Sequence, residues 1–236
     1  MKFAIIAAGE GSRLAEEGVA VPKPLVEIGG EKLIQRLVRI FMQNGAEEIC
    51  VIVNQLHPQT EAYVRQLMAT EAGSRLRLVV KTTPSSMHSF CELSRYLAGA
   101  PFCLTTVDTI FDENEFARYI EAFRQADCDG MMAVTDYIDD EKPLYVDVDQ
   151  AGHITGFYDQ QQGCRYISGG IYCLKQNSLD TLERCMQQGK SRMRNFQRAL
   201  VADGLRLQAY PFGKVLDIDH AEDIPKAETF VREGTQ

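Results

Sequence analysis

Within the first 25 residues an apolar run, Phe3-Ala4-Ile5-Ile6-Ala7, leads into Ala8-Gly9-Glu10-Gly11-Ser12-Arg13-Leu14, and Lys23 follows between Pro22 and Pro24. A short apolar run ended by glycine reads as a buried strand. Gly9 and Gly11 let the backbone bend and let its N–H groups approach an anion with no Cβ in the way. Arg13 adds a permanently charged fork that can grip phosphate oxygens with two donors at once. The prolines fix φ on either side of Lys23 and restrict where its ammonium points. The chemistry that this spacing suggests is a strand ending at a phosphate. A carboxylate, Asp108, closes a later apolar run, 102–107, and so sits where open α/β sheets bind ligands.

These side chains need a scaffold, and the hydrophobic pattern supplies one. Leu33, Ile34, Leu37, Val38 and Phe41 recur at helical spacing, with Asn44-Gly45 as a stop signal. Residues 49–53 read as a second buried strand, 58–68 as a polar helix and 76–80 as a third strand. Pro84 disfavours helix at Thr83, and Ser85 or Ser86 can cap a helix that begins near Met87. Asp112 serves as the cap of a helix from Glu113. Short apolar strands alternating with helices predict a parallel sheet covered on both faces. Beyond Gly130 the pattern changes to strands at 131–135, 145–148 and 154–157, the last two joined by a hairpin turn at 149–153. Another strand, 166–174, contains the pair Gly169-Gly170, which marks either a bulge or a close approach of ligand or backbone. Helices at 178–187 and 193–202 carry Arg184, Lys190, Arg192, Arg194 and Arg198, read as a solvated face with a subunit contact left open. Asp219, three residues before Glu222, is read as one half of a capping box for the last helix.

The bulk numbers narrow the classes. The chain has 236 residues, 25 Lys plus Arg against 33 Asp plus Glu, and a formal charge of −8. That balance argues against nucleic acid or an anionic membrane as partner, so an anionic substrate must be held by a few local cations. Seven cysteines occur without a C-x-x-C pair, which suggests neither a disulfide framework nor a zinc site and fits a reducing, cytoplasmic compartment. The first residues are too short an apolar run for a signal peptide. None of His57, His88, His153 and His220 has a partner at metal-ligand spacing, and none is given a catalytic role.

The tandem A-A-G-x-G-x-R-L and P-K-P-L, continuing as Val26-Glu27-Ile28-Gly29-Gly30, resembles the signature of the sugar nucleotidyltransferases. The resemblance implies an α/β Rossmann-like fold with a mostly parallel central sheet between helices and a small antiparallel insertion on the acceptor side. One domain of 1–236 is expected, with a nucleotide half at about 1–128 and an acceptor half at about 129–236. It further implies a nucleoside triphosphate held by Ala8, Gly9, Gly11, Ser12, Arg13, Ser85 and Ser86, with Arg13 and Lys23 as catalytic groups. Asp108 matches one ligand of a catalytic Mg2+. The phrase 213–224 resembles the family's closing motif, on which Asp217 matches the second. Such a pair is the hard oxygen site that magnesium prefers.

The reaction implied is in-line attack by a sugar-1-phosphate oxygen on the α-phosphorus, giving an NDP-sugar and pyrophosphate. Ser168-Gly169-Gly170-Ile171-Tyr172 departs from the family's sugar-lining N-A-G-I-Y. The family's glutamate-lysine-proline phrase, whose lysine holds the acceptor phosphate, is missing; Arg165 or Lys214 is expected to replace it. A looser resemblance to the cytidylyltransferases that activate phosphocholine or related phospho-alcohols gives an alternative acceptor, with Tyr145, Tyr158 and Tyr172 as candidates for an aromatic cage. A non-catalytic nucleotide-sugar binding protein is the alternative of another class. The retention of Arg13, Lys23, Asp108 and Asp217 favours an enzyme.

Overall fold

The N-terminal apolar run forms β1 (Lys2–Ala7), buried from Phe3 onward, in a computed structural model that describes residues 1–71, 73–139 and 141–234. A short helix α1 (Ser12–Glu16), a single 3-10 turn (Lys23–Leu25) and the two-residue strands β2 (Glu27–Ile28) and β3 (Glu31–Lys32) follow. Then come α2 (Leu33–Gln43), β4 (Glu48–Val53), α3 (Pro58–Met68), β5 (Leu76–Val80) and α4 (Ser86–Leu97). The next stretch holds β6 (Phe102–Thr106), β7 (Thr109–Phe111), α5 (Glu113–Gln125), β8 (Gly130–Thr135), β9 (Tyr145–Val148), β10 (Ile154–Tyr158) and β11 (Tyr166–Leu174). The chain ends with α6 (Asn177–Gln187), α7 (Met193–Ala202), β12 (Leu207–Phe212), β13 (Val215–Asp217) and α8 (Asp223–Glu233).

The main sheet runs β10-β9-β11-β6-β1-β4-β5, and β8 pairs with both β11 and β12. Around β1 it is parallel, with Ile5 in register with Val51 on one side and Thr105 on the other. Strands buried on both faces need apolar side chains in both directions, which is why β1 and β4 are nearly continuous apolar runs. Their side chains alternate between two cores: Phe3, Ile5 and Ala7 pack on one face with Phe41 and Phe116, while Ala4, Ile6 and Ala8 pack on the other with Phe90 and Phe102. The antiparallel portion expected after Gly130 is continuous with this sheet, because β11 runs antiparallel to β6, β8 and β9. This is the α/β architecture read from the sequence.

Local signals set the helix ends. Asp112 accepts a hydrogen bond from the Glu115 N–H at 2.7 Å, and Ser85 Oγ accepts from the His88 N–H at 3.4 Å. The expected capping box at the last helix does not form. The carboxylate of Asp223 takes the N–H groups of Asp219 and His220 at 3.1 and 2.8 Å, and the Asp219 side chain turns elsewhere.

Two features position the site. The carboxyl ends of β1, β4, β5 and β6 all open on one edge of the sheet, as parallel strands require. A small separate sheet then crosses that edge: β13 pairs antiparallel with β7, placing Asp217 opposite Thr109, and the Ile218 N–H donates to the Asp108 carbonyl at 3.2 Å. The C-terminal segment thereby reaches the edge where β1 and β6 end. Among the described residues, no helix is long and apolar enough to cross a membrane.

Candidate active site

A cavity of about 380 Å³ opens beyond β1. One wall is the loop after β1, with Ala8, Gly9 and Gly11; the facing walls carry Lys23, Asp108, Ser85 and Ser86. Gly11 has φ +64°, a conformation that favours glycine, and a Cβ there would stand 3.4 Å from the Lys23 Cβ. That distance is ordinary contact, so the positive φ rather than a lack of room calls for glycine here, and the loop lies against the 3-10 turn that carries Lys23. Lys23 Nζ is 2.7 Å from Asp108 Oδ2 and 2.8 Å from Asp219 Oδ1. Burial works against the Lys23 charge, but the two carboxylates outweigh it and hold the ammonium above the ordinary lysine pKa.

Two of the expected loop residues lie outside that cavity. Ser12 begins α1 and is exposed. Arg13 lines a neighbouring cleft with Asp217 and Asp219, its Nη1 3.4 Å from Asp219 Oδ2. Asp108 and Asp217 also line different cavities, although the β7–β13 pairing puts them on adjoining backbone. Asp219 is the residue that links Lys23 to Arg13. Its spacing to Glu222 hid this role, because a local cap competes for the same sequence pattern.

A third cavity lies on the β11 side and shares Ile6, Ser85, Ser86 and Thr106 with the first. Gly170, with φ +72°, lines it; Gly169 does not, and a Cβ there would lie 3.2 Å from the Ala133 carbonyl oxygen. The double glycine therefore combines both readings: the β11–β8 register shifts between Ser168 and Tyr172, and Gly170 faces the cavity. Arg165 and Lys214 do not reach it. Arg165 is exposed beside Asp136, at 3.2 Å, and Lys214 rests over the rings of Tyr137 and Phe230. The cations at this cavity are instead Lys142, Arg192 and Arg194. Arg194 Nη1 bonds Asp159 Oδ1 at 2.5 Å and its Nη2 donates to the Lys142 carbonyl at 3.0 Å. The sequence offered no sign of this, since arginines at the start of an amphipathic helix look like solvated surface.

Three residues that line this cavity form a polar chain. Ser168 Oγ donates to Gln197 Oε1 at 3.0 Å, and Gln197 Nε2 donates to the Tyr172 hydroxyl at 3.2 Å. Burial pushes the Tyr172 phenol up to about 12, so it stays neutral. Tyr172 lines the cavity while Tyr145 and Tyr158 do not, so the candidate rings of the phosphocholine alternative do not form a cage there. Among the described residues, no three His, Cys, Asp or Glu side chains are grouped closely enough to hold a metal ion by themselves.

The chain belongs to the MobA-like NTP transferase domain family, whose model matches residues 3–203. A protein of Oryza sativa subsp. japonica named "Probable mannose-1-phosphate guanylyltransferase 1" is 24% identical over 230 residues, covering 94% of this chain and 62% of its own. The mannose-1-phosphate guanylyltransferase catalytic subunit beta of Drosophila pseudoobscura pseudoobscura is 24% identical over 184 residues, 76% of this chain and 49% of that protein. The chain thus spans less than two thirds of the length of these curated relatives. The structure of the inositol-1-phosphate CTP transferase from T. maritima superimposes with a TM-score of 0.81 and 19% identity, covering 100% of this chain and 96% of that one. That likeness establishes the shared fold.

Proposed function

We propose that this member of the MobA-like family transfers a nucleotidyl group from a nucleoside triphosphate to a sugar-1-phosphate, releasing pyrophosphate. The observation that carries the reading is the common wall of two cavities. A glycine-loop cavity with a charged lysine and an arginine-bearing cavity meet at Ile6, Ser85, Ser86 and Thr106. Two anionic substrates bound on either side would meet there.

In this reading Gly9 and Gly11 offer N–H groups to the triphosphate and Lys23 neutralises charge at the α-phosphate. Arg13, with about half its side chain exposed, turns from Asp219 toward the leaving pyrophosphate. Arg192 stands in for the family's missing acceptor lysine; among the described residues it makes no ion pair, and it sits beside Arg194 at the cavity wall. A phosphate oxygen of the acceptor forms the new bond to the α-phosphorus as the bond to the bridging oxygen of the β-phosphate breaks, and that electron pair leaves with pyrophosphate. The acceptor phosphate is already ionised near neutral pH, so no protein nucleophile or general base is needed. Catalysis is positioning and charge stabilisation. The hydroxyls and amide of Ser168, Gln197 and Tyr172 suit a polyhydroxylated ring better than a quaternary ammonium, which favours a sugar over phosphocholine.

Asp108 and Asp217 would hold Mg2+. Asp108 already holds one cation, the Lys23 ammonium at 2.7 Å, and the β7–β13 pairing sets Asp217 on the backbone next to it. The donors are hard carboxylate oxygens, and magnesium is ordinarily bound by one or two of these with phosphates and water completing its shell. When bound, the ion would supply further neutralisation of phosphate charge. The free cysteines suit a cytoplasmic reaction.

The test is pyrophosphate release with Mg2+, offering each of the four ribonucleoside triphosphates with pools of sugar-1-phosphates, inositol phosphates and phosphocholine. Release confined to one nucleotide and one sugar phosphate, and reduced at least ~10²-fold in Asp108→Asn, is expected, the scale for losing one preorganised electrostatic group. Release with phosphocholine alone would overturn the acceptor assignment, and binding of nucleotide-sugar without any release would make the chain a binding protein.

A further inference from the structure

We infer that Asn54 and His57, on the connection from β4 to α3, aim the N–H groups of the glycine loop into the nucleotide cavity. The inference rests on the reading of that cavity as a triphosphate site. Asn54 Nδ2 donates to the Ala8 carbonyl at 3.0 Å, and His57 Nε2 donates to the Glu10 carbonyl at 3.1 Å. No peptide bond among the described residues is cis, so in each peptide unit the N–H points opposite to the C=O. The carbonyls of Ala8 and Glu10 share their peptide units with the amides of Gly9 and Gly11. With both oxygens drawn to the β4–α3 connection, both N–H groups turn the other way. Gly9 and Gly11 line the cavity, whereas Asn54 and His57 do not. Among the described residues neither glycine N–H is bonded to another backbone group. Two side chains behind the loop thus create two parallel donors in front of it, the concave arrangement that binds phosphate.

The clamp is itself fixed. Asn54 is 1% exposed, and its Oδ1 accepts from the Leu56 N–H at 3.0 Å and from Thr82 Oγ1 at 2.6 Å. Those two donors orient the amide and commit its Nδ2 to Ala8. Thr82 follows β5 and precedes Thr83, Pro84, Ser85 and Ser86 on the opposite wall of the cavity. One buried amide therefore joins the ends of β1, β4 and β5. The His57 N–H in turn donates to the Asn54 carbonyl at 3.0 Å, so the two clamps are coupled. Donation from His57 needs a proton on Nε2, which one neutral tautomer and the imidazolium both carry. Both residues act through the loop and are positioning residues.

Calorimetric binding of inorganic tripolyphosphate with Mg2+, and separately of glucose 1-phosphate and mannose 1-phosphate, to the full chain tests this. His57→Ala is expected to weaken tripolyphosphate binding by about three- to tenfold, and Asn54→Asp, which turns an acceptor toward the Ala8 carbonyl, by roughly ten- to a hundredfold. His57→Gln, whose amide can donate at similar reach, should recover most of the loss. Sugar phosphate affinity should move by less than about twofold throughout, a split that general loosening of the fold would not give. His57 is half-buried and its variants should keep the wild-type Tm, so the test survives if Asn54 variants fail to fold. If wild-type protein binds tripolyphosphate and His57→Ala binds it equally well, or if both ligands weaken together, the positioning role is wrong. Wild-type protein that binds sugar phosphate but no polyphosphate would overturn the triphosphate reading itself.

Discussion

Lys23 sits between two carboxylates, and that fixes its charge state across the working range. Its pKa is raised, because Asp108 and Asp219 outweigh the cost of burial. A raised lysine contributes stability that is fully present below its unfolded value of 10.5 and is lost only as pH rises through the folded value. Activity should therefore show no alkaline limb from Lys23 up to about pH 10, while Lys23→Ala loses at least ~10²-fold in turnover at every pH. A pH–rate profile of the variant that parallels wild type at similar height would remove Lys23 from the mechanism. Arg192 predicts a different signature. Arg192→Ala should raise KM for the acceptor about tenfold or more, the scale of a lost charge-assisted bond, and leave KM for the nucleotide unchanged. Steady-state kinetics with each substrate varied in turn decides this, and an equal rise in both constants counts against it. The sequence marked Lys23 because prolines and glycines surround it, but gave no comparable mark to Arg192. An arginine on a helix face has the same local pattern whether that face meets water or a cavity. Asp219 was obscured for a related reason: a spacing that fits a local cap says nothing of a lysine 196 positions away.

At the scale of elements, periodicity carried strands and helices well, and the parallel sheet with them. The helix over Pro58–Met68 and the strand over Tyr166–Leu174 have the bounds that their patterns predicted, since each is flanked by strong local signals. The pairing of the three-residue strands β7 and β13 was not legible. They pair only with one another, across about a hundred residues of chain, and three residues are too few to show a period. Yet this pair sets Asp217 opposite Thr109, the residue after Asp108. The bulge in β11 is similarly tertiary, and it yields a prediction. Gly170 has φ +72°, so Gly170→Ala should cost about 1–2 kcal/mol of stability. Thermal or urea unfolding measures the difference, and a Tm equal to wild type would mean that the bulge relaxes. A second element-scale device is the clasp at the end of α1. Glu17 takes His220 Nδ1 at 2.6 Å and the Ala221 N–H at 2.6 Å. Hydrogen bonds from Ala221 and His220 lower the Glu17 pKa, and the hydrogen bond to Glu17 raises that of His220. The glutamate contribution is present above 4.5 and fades as pH falls through its folded value; the histidine contribution is present below 6.5 and fades as pH rises through its own. His220→Gln should lower Tm most between those two values and least at alkaline pH. A Tm difference that is flat with pH would exclude an ionic clasp.

The whole molecule depends on chain beyond the stretch that the family model covers, which ends at residue 203. β12 pairs in parallel with β8 and buries Leu207 and Phe212 to 1% and 2% exposure. Phe212 meets Phe111 and Tyr119 edge-on, with centroids 6.4 and 5.4 Å away, so it closes the core on the face that also holds Phe116. β13 and the following turn then deliver Asp217 and Asp219 to the carboxyl ends of β1 and β6. Fold and site thus share one dependency. Removing residues 204–236 would expose the β8 edge and strip several large apolar side chains of cover, at about 1.5–3 kcal/mol each. Against a typical margin of about 5–15 kcal/mol that sum is decisive. A chain ending at Asp203 should show no cooperative thermal transition and should bind a hydrophobic dye, whereas Asp217→Asn with Asp219→Asn in the full chain should unfold cooperatively near the wild-type Tm and fail only in turnover. A truncated chain that melts sharply would show that the first 203 residues are a self-sufficient unit and that the tail serves the site alone.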